Sequence, residues 1–220
     1  MQMTRRRTTG CRRPRAAARW AILPVAVLFS VSGCGTGDVE IGDGQRHRGD
    51  ITVAVGTVEI GSECIVEGGV SLQAGNVDVG DRTLIEGPVQ VKHGNVVLQE
   101  DVQVPAVTVT SGTIELGRGA VVTGPLRLTS GLVKIAGARV GGQVQIVRGR
   151  LEVDRGSVLE MGLRAVNPGS SLRDSTYVVI KSGARVAGTV EVSGSARLIV
   201  EPGADTSEAD FTGFAPESGS

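Results

Sequence analysis

The chain has 220 residues, of which 40% are hydrophobic and only 2% aromatic, with 33 glycines and 23 basic residues balancing 23 acidic ones. The balance is uneven along the chain: seven arginines and no acid precede Cys34, leaving 16 basic against 23 acidic residues behind them. An acidic body disfavours nucleic acid and polybasic attachment to lipid headgroups, and three cysteines are too few for a disulfide framework.

Residues Met1–Arg19 are basic, and Trp20–Val31 form an apolar run interrupted by Pro24. That run is too short to span a bilayer and matches the core of a signal peptide. It ends in Val31-Ser32-Gly33-Cys34. In this position the four residues resemble the bacterial lipoprotein lipobox. The resemblance implies that residues 1–33 are a cleaved signal peptide and that the Cys34 thiol carries a diacylglyceryl group. Residues 34–36 then form a lipid-anchored N-terminus, with the membrane as partner. Gly35, rather than aspartate, after the cysteine resembles the outer-membrane sorting preference. The expected location is the bacterial cell envelope, on the outer membrane where two are present.

Behind the leader a short unit repeats. Glycine recurs at Gly37, Gly56, Gly75, Gly94, Gly112, Gly131 and Gly149, at gaps of 18 or 19 residues. Two apolar residues, spaced two apart, follow each glycine: Val58/Ile60, Val77/Val79, Ile114/Leu116, Val133/Ile135. A spacing of two puts both side chains on one face of an extended strand. Further inward pairs recur in phase, such as Ala120/Val122 and Leu126/Leu128 in the unit Gly112–Ser130. Three short strands, each turning two side chains inward, describe a triangular coil with an apolar centre. One coil buries too little to offset the entropy of ordering it, so coils must stack. The expected fold is therefore all-β: a single-stranded parallel β-helix, a triangular solenoid of about 18–19 residues per coil, over residues 37–203. Right-handed winding follows from the general preference of parallel crossovers.

Four places depart from the repeat. In the first coil Gln45 and His47 stand where later coils have small or apolar residues, as expected of a terminal cap. Cys64 shares a phase with Thr83, Val102, Ala120, Ala138, Ser157 and Ala184, a column of mostly small residues, and reads as a buried core thiol. Between Gly149 and the next coil near Thr176 the gap is 27, which places about eight extra residues near 161–175, around Asn167-Pro168-Gly169. Insertions in solenoids emerge as loops and serve binding, so Asn167, Pro168 and the adjacent Tyr177 are candidate partner contacts. Residues 204–220 hold four acids and no base, and read as a disordered acidic tail. Within it, Phe211 and Phe214 either fold back over the last coil or dock on another molecule.

No arrangement of residues points to catalysis. The two histidines behind the leader, His47 and His93, have no phased carboxylate or cysteine beside them, and no metal-ligand spacing, nucleophile elbow or phosphate loop occurs. No cofactor is expected. The Ala120/Val122/Gly124 and Ala184/Val186/Gly188 segments resemble hexapeptide acyltransferases in coil size, which keeps such an enzyme as a remote alternative. The glycine-punctuated coils from Gly37 to Pro202 resemble the bactofilins, bacterial polymer-forming cytoskeletal proteins, and are similar to adhesin-like solenoids. The bactofilin resemblance implies short coils and end-to-end association, while the export signal departs from that family's usual cytosolic setting. The expectation is a lipid-anchored envelope protein that scaffolds or binds an envelope partner and self-associates through its C-terminal end. The alternative is a surface adhesin that uses the 161–175 loop.

Overall fold

The computed structural model describes residues 36–167 and 175–212, and the backbone of 217–218. Cys34, Pro168 and Phe214 lie outside the described residues. All regular structure among the described residues is strand. Each full coil contributes one short and one long strand, and the order begins β1 (Val39–Ile41), β2 (Arg46–His47), β3 (Ile51–Ile60), β4 (Ile65–Val66), β5 (Val70–Val79), β6 (Leu84–Ile85), β7 (Val89–Leu98). It continues β8 (Gln103–Val104), β9 (Val107–Leu116), β10 (Val121–Val122), β11 (Leu126–Ile135), β12 (Arg139–Val140), β13 (Val144–Val153), β14 (Val158–Leu159). The upper coils are β15 (Gly162–Asn167), β16 (Thr176–Ile180), β17 (Arg185–Val186), β18 (Gly188–Gly194), β19 (Ala196–Val200), β20 (Ala209–Thr212) and β21 (Glu217–Ser218). Every pairing is parallel and joins one coil to the next, as in Ile51↔Val70 and Val70↔Val89. This is the stacked β-solenoid expected from the repeat.

The sequence divides each coil into three strands, whereas the chain builds two sheets. The short strands form an eight-stranded sheet, and in the coils from β3 to β13 the two remaining strands fuse into one ten-residue strand of a 13-stranded sheet. The fusion occurs at the recurring glycine. Gly75, at φ 136°, bends β5 without breaking its pairing, so Gly56, Gly75 and Gly94 are direct ladder partners. A β-carbon on Gly75 would collide with the carbonyl oxygen of Gly56, and the same holds from Gly56 to Gly149. The bend turns one long strand into two of the triangle's three faces.

The core runs along the axis. Val58, Val77, Val96, Ile114, Val133 and Leu151 are each fully buried, one per coil. The small column is also interior, and its polar members are bonded rather than stranded. The Thr83 hydroxyl donates to the carbonyl of Gly61 at 2.8 Å and accepts from the Cys64 amide at 3.2 Å. Ser157 repeats the motif, donating to Ile135 at 2.9 Å and accepting from Gly137 at 3.0 Å. The Cys64 thiol donates to the Gly42 carbonyl at 3.1 Å, and burial pushes its pKa up.

The lower end is secured by aspartates. Asp38, Asp43 and Asp50 stand at three bends of the first coil, and their carboxylates accept the amides of Thr57, Ser62 and Gly69, each 19 residues on, at 2.7–2.8 Å. His47 is buried at 7% exposure and stacks in register with Val66, so the first coil is more closed than its polar residues imply.

Candidate functional site

Three regions depart from the regular coil and can carry function: the insertion, the C-terminal end and the charged face formed by the second halves of the long strands.

The insertion replaces a glycine bend. β15 pairs with the first half of β13 (Val144↔Leu163) and β16 with its second half (Arg150↔Tyr177), so the long strand is split where those of the coils below merely turn; the coil above is split too, between β18 and β19 at Ser195. By register, the extra residues are 168–175. The two ends of the split are locked together inside the protein. Asn167 and Thr176 are both fully buried. The Asn167 side-chain amide donates to the Thr176 hydroxyl at 3.3 Å, and that hydroxyl donates to the carbonyl of Val147 at 2.8 Å. Asn167 is therefore corrected from a partner contact to an interior clasp. The turn signal of Asn-Pro-Gly hides this, because asparagine favours turns by sequence but can equally satisfy buried backbone. Tyr177 is on the surface, at 39% exposure, in register between Arg150 and Arg197.

The C-terminal end corrects a second expectation. The segment read as a disordered tail from residue 204 adds another partial coil: β20 pairs with β18, placing Phe211 beside Val190, and β21 pairs with β19. Ala204, Ala209 and Phe211 are half-buried against the core, so Phe211 acts as a lid on the last coil. Two acids of this segment, Asp205 and Glu208, find a base on the coil below. The Arg185 guanidinium donates to Glu208 at 2.6 Å and approaches Asp205 at 3.8 Å. Ser207, through its hydroxyl and its amide, holds the Asp205 carboxyl below the usual carboxylate range, with Arg185 adding to the effect.

The third region is a flat face with a charge gradient along the axis. Its lower coils align Glu40, Glu59 and Asp78 in one ladder, and these acids border a shallow groove with Asp43 and Gln99. Its upper coils align Arg150, Tyr177 and Arg197. Within these upper coils lies an ion-pair cluster in which Glu152 meets Arg150 at 2.5 Å and Lys181 at 3.6 Å, while Asp154 meets Lys181 at 2.5 Å. The hydrogen bond to Asp154 raises the Lys181 pKa, and the neighbouring carboxylates add to that.

Among the described residues no group of three or more histidine, cysteine, aspartate or glutamate side chains is arranged to hold a metal ion. His93 lies exposed on β7 between Ala74 and Ser111, with no acid or thiol in register. Comparison with protein-family models, with curated proteins and with solved structures finds no match to this chain.

Proposed function

We propose that this protein is a non-enzymatic, lipid-anchored β-solenoid of the bacterial cell envelope, acting as a scaffold or binding protein. The observation that carries the reading is the junction between anchor and fold. Cys34 closes the lipobox-like Val31-Ser32-Gly33-Cys34, and ladder pairing begins at Thr36, which bridges to Val55. A lipid on Cys34 would therefore join the first coil through one intervening residue, which suits a rigid spacer standing on a membrane more than a tethered enzyme. The aspartate bonds that secure the first coil support the same use, because an anchored end must resist fraying.

Self-association through the C-terminal end belongs to this reading. β20 is the last strand on its ladder among the described residues, and such an edge offers unpaired backbone to a second copy. A second reading, an adhesin that binds through the inserted loop, is favoured by the clasp of Asn167 and Thr176, which fixes the base of that loop.

The anchor is tested by Cys34→Ala. In cells, the wild-type protein should partition into the detergent phase and shift to the processed mass. The variant should stay unprocessed and lack the acyl mass. Equal processing and partitioning of both would remove the lipoprotein reading.

A further inference from the structure

The charged face carries an inference about a partner. Its outward residues form two parallel ladders, one running Thr57, Asn76, Asn95, Thr113 and the other Glu59, Asp78, Val97, Glu115. Below Thr113 the face bears carboxylates and no base: Asp38, Glu40, Glu59 and Asp78. Above it, Lys134, Arg150 and Arg197 outnumber the two acids, Glu152, which already meets Arg150 and Lys181, and Glu217, which follows Ile199 in the same ladder. The upper half also presents Tyr177 and Ile199, 39% and 41% exposed, so its large apolar surface lies among bases. Neither Glu40 nor Glu59 has an ion pair among the described residues, and neither does Arg197.

We propose that this face pairs with the same face of a second copy, the two solenoids lying side by side and antiparallel, so that their N-termini point away from each other and, where both are lipid-anchored, the two copies stand on facing surfaces rather than on one. A two-fold axis along the Thr113 strand, in the plane of contact, carries each coil above it onto one below. Arg197 then lies opposite Asp38 and beside Glu40. Arg150 lies beside Asp78, and the Tyr177 hydroxyl reaches Glu59. Leu132 meets Asn95 next to Val97, placing apolar surface near the centre. The two Glu115 side chains meet at the axis, where the Lys134 of each copy lies one layer from the carboxylate of the other. A parallel pairing would set acid on acid at one end and base on base at the other, so charge selects the antiparallel arrangement.

The area suffices. Nine coils at ~4.8 Å, with a face about five residues wide, give on the order of 600 Å² per copy, or ~1,200 Å² in total. That lies at the lower limit of specific interfaces, roughly 1,200–2,000 Å². This contact is distinct from the end-on association above, and the two respond oppositely to salt. Screening weakens attraction between the opposite charges of the faces, and relieves repulsion between acidic C-terminal ends.

The test uses the full chain in detergent. Thr113→Cys, near the axis, should form a disulfide-linked dimer under mild oxidation, at ten-fold or greater yield than Thr108→Cys on the adjacent face. Two singly substituted chains, Glu40→Cys and Ile199→Cys, should cross-link with each other when mixed and far less with themselves. The double variant Arg150→Glu/Arg197→Glu should lower the Thr113→Cys yield at least ten-fold, and adding Glu40→Arg/Asp78→Arg should restore it. These are outward positions, so folding persists, and circular dichroism checks it. Equal yields from Thr113→Cys and Thr108→Cys overturn side-by-side pairing. A dimer by light scattering with no Thr113 cross-link overturns it too, while leaving end-on association standing.

Discussion

At the scale of single residues, glycine performs two separate jobs that a repeat count merges. At Gly75, where φ is already 136°, the added requirement is space, because the preceding coil's backbone occupies the place of a β-carbon. At Gly137 there is space but φ is 68°, a left-handed conformation costly to other residues. Three coils meet this second demand without glycine, at Glu63, Arg82 and Asp101, with φ of 55–59°. Gly137→Ala should thus cost only about 1–2 kcal/mol. Gly75→Ala should cost clearly more, since the ladder itself must open. Thermal unfolding of the two variants decides it: equal losses would show that space at Gly75 is not the constraint. The small column was legible in the sequence as a size restriction. Its hydrogen bonds were not, because the acceptors of Thr83 and Ser157 lie 22 residues back, beyond any local pattern.

At the scale of elements, period-two alternation exposed each inward pair but could not show which strands are continuous. A glycine reads as a break in sequence, whereas here it bends a ladder that continues on both sides. The split at the insertion is the larger of the two exceptions, the other being the one-residue break at Ser195. In place of the glycine the chain puts Thr176 in the bend, closed by Asn167. Deleting residues 168–175 while changing Thr176→Gly should restore an ordinary coil. Such a variant should melt at or above the wild-type temperature, as loop-closure entropy is recovered. A large loss would mean that the clasp, not the bend, holds the upper coils. The last coil carries a pH dependence. Asp205 has a lowered pKa in the fold, so its contribution is present above the ordinary carboxylate pKa, about 4, and is lost as pH falls through the lowered value. Its own amide donates to Ala184 at 2.8 Å. Amide exchange at Asp205 should accelerate below about pH 4, ahead of Val122 in the middle of the stack. Simultaneous loss of protection at both sites would contradict a separately fastened last coil.

At the scale of the whole molecule, the axis was legible because each coil repeats the same three demands. Where it ends was not. A run with four acids and no base resembles a solvated tail, yet Asp205 and Glu208 are matched by Arg185 one coil below, and Phe211 falls in the Val190 column. Charge counted along the chain misses partners stacked across it. Removing residues 204–220 should therefore uncover the core layer of Val190 and Leu198 and increase association of the remaining protein. Light scattering at two salt concentrations reads this directly. A truncated protein that stays monomeric at both would show that the uncovered layer is not adhesive.

The ladder also dictates how the molecule responds to load. Its interstrand hydrogen bonds run along the axis and its strands lie across it, so tension between the two ends is borne by one coil at a time. Pulled from the C-terminal end against a fixed N-terminus, the solenoid should peel rather than rupture as a block. Each coil of 18 or 19 residues would release roughly 60 Å of chain at ~3.4 Å per residue. The interrupted coil, 27 residues from Gly149 to Thr176, would stand out as one step of roughly 90 Å near the start of the record. A protein fixed to a surface at one end and gripped at the other would lengthen in countable increments, yielding gradually where a globular domain of similar mass would give way at once.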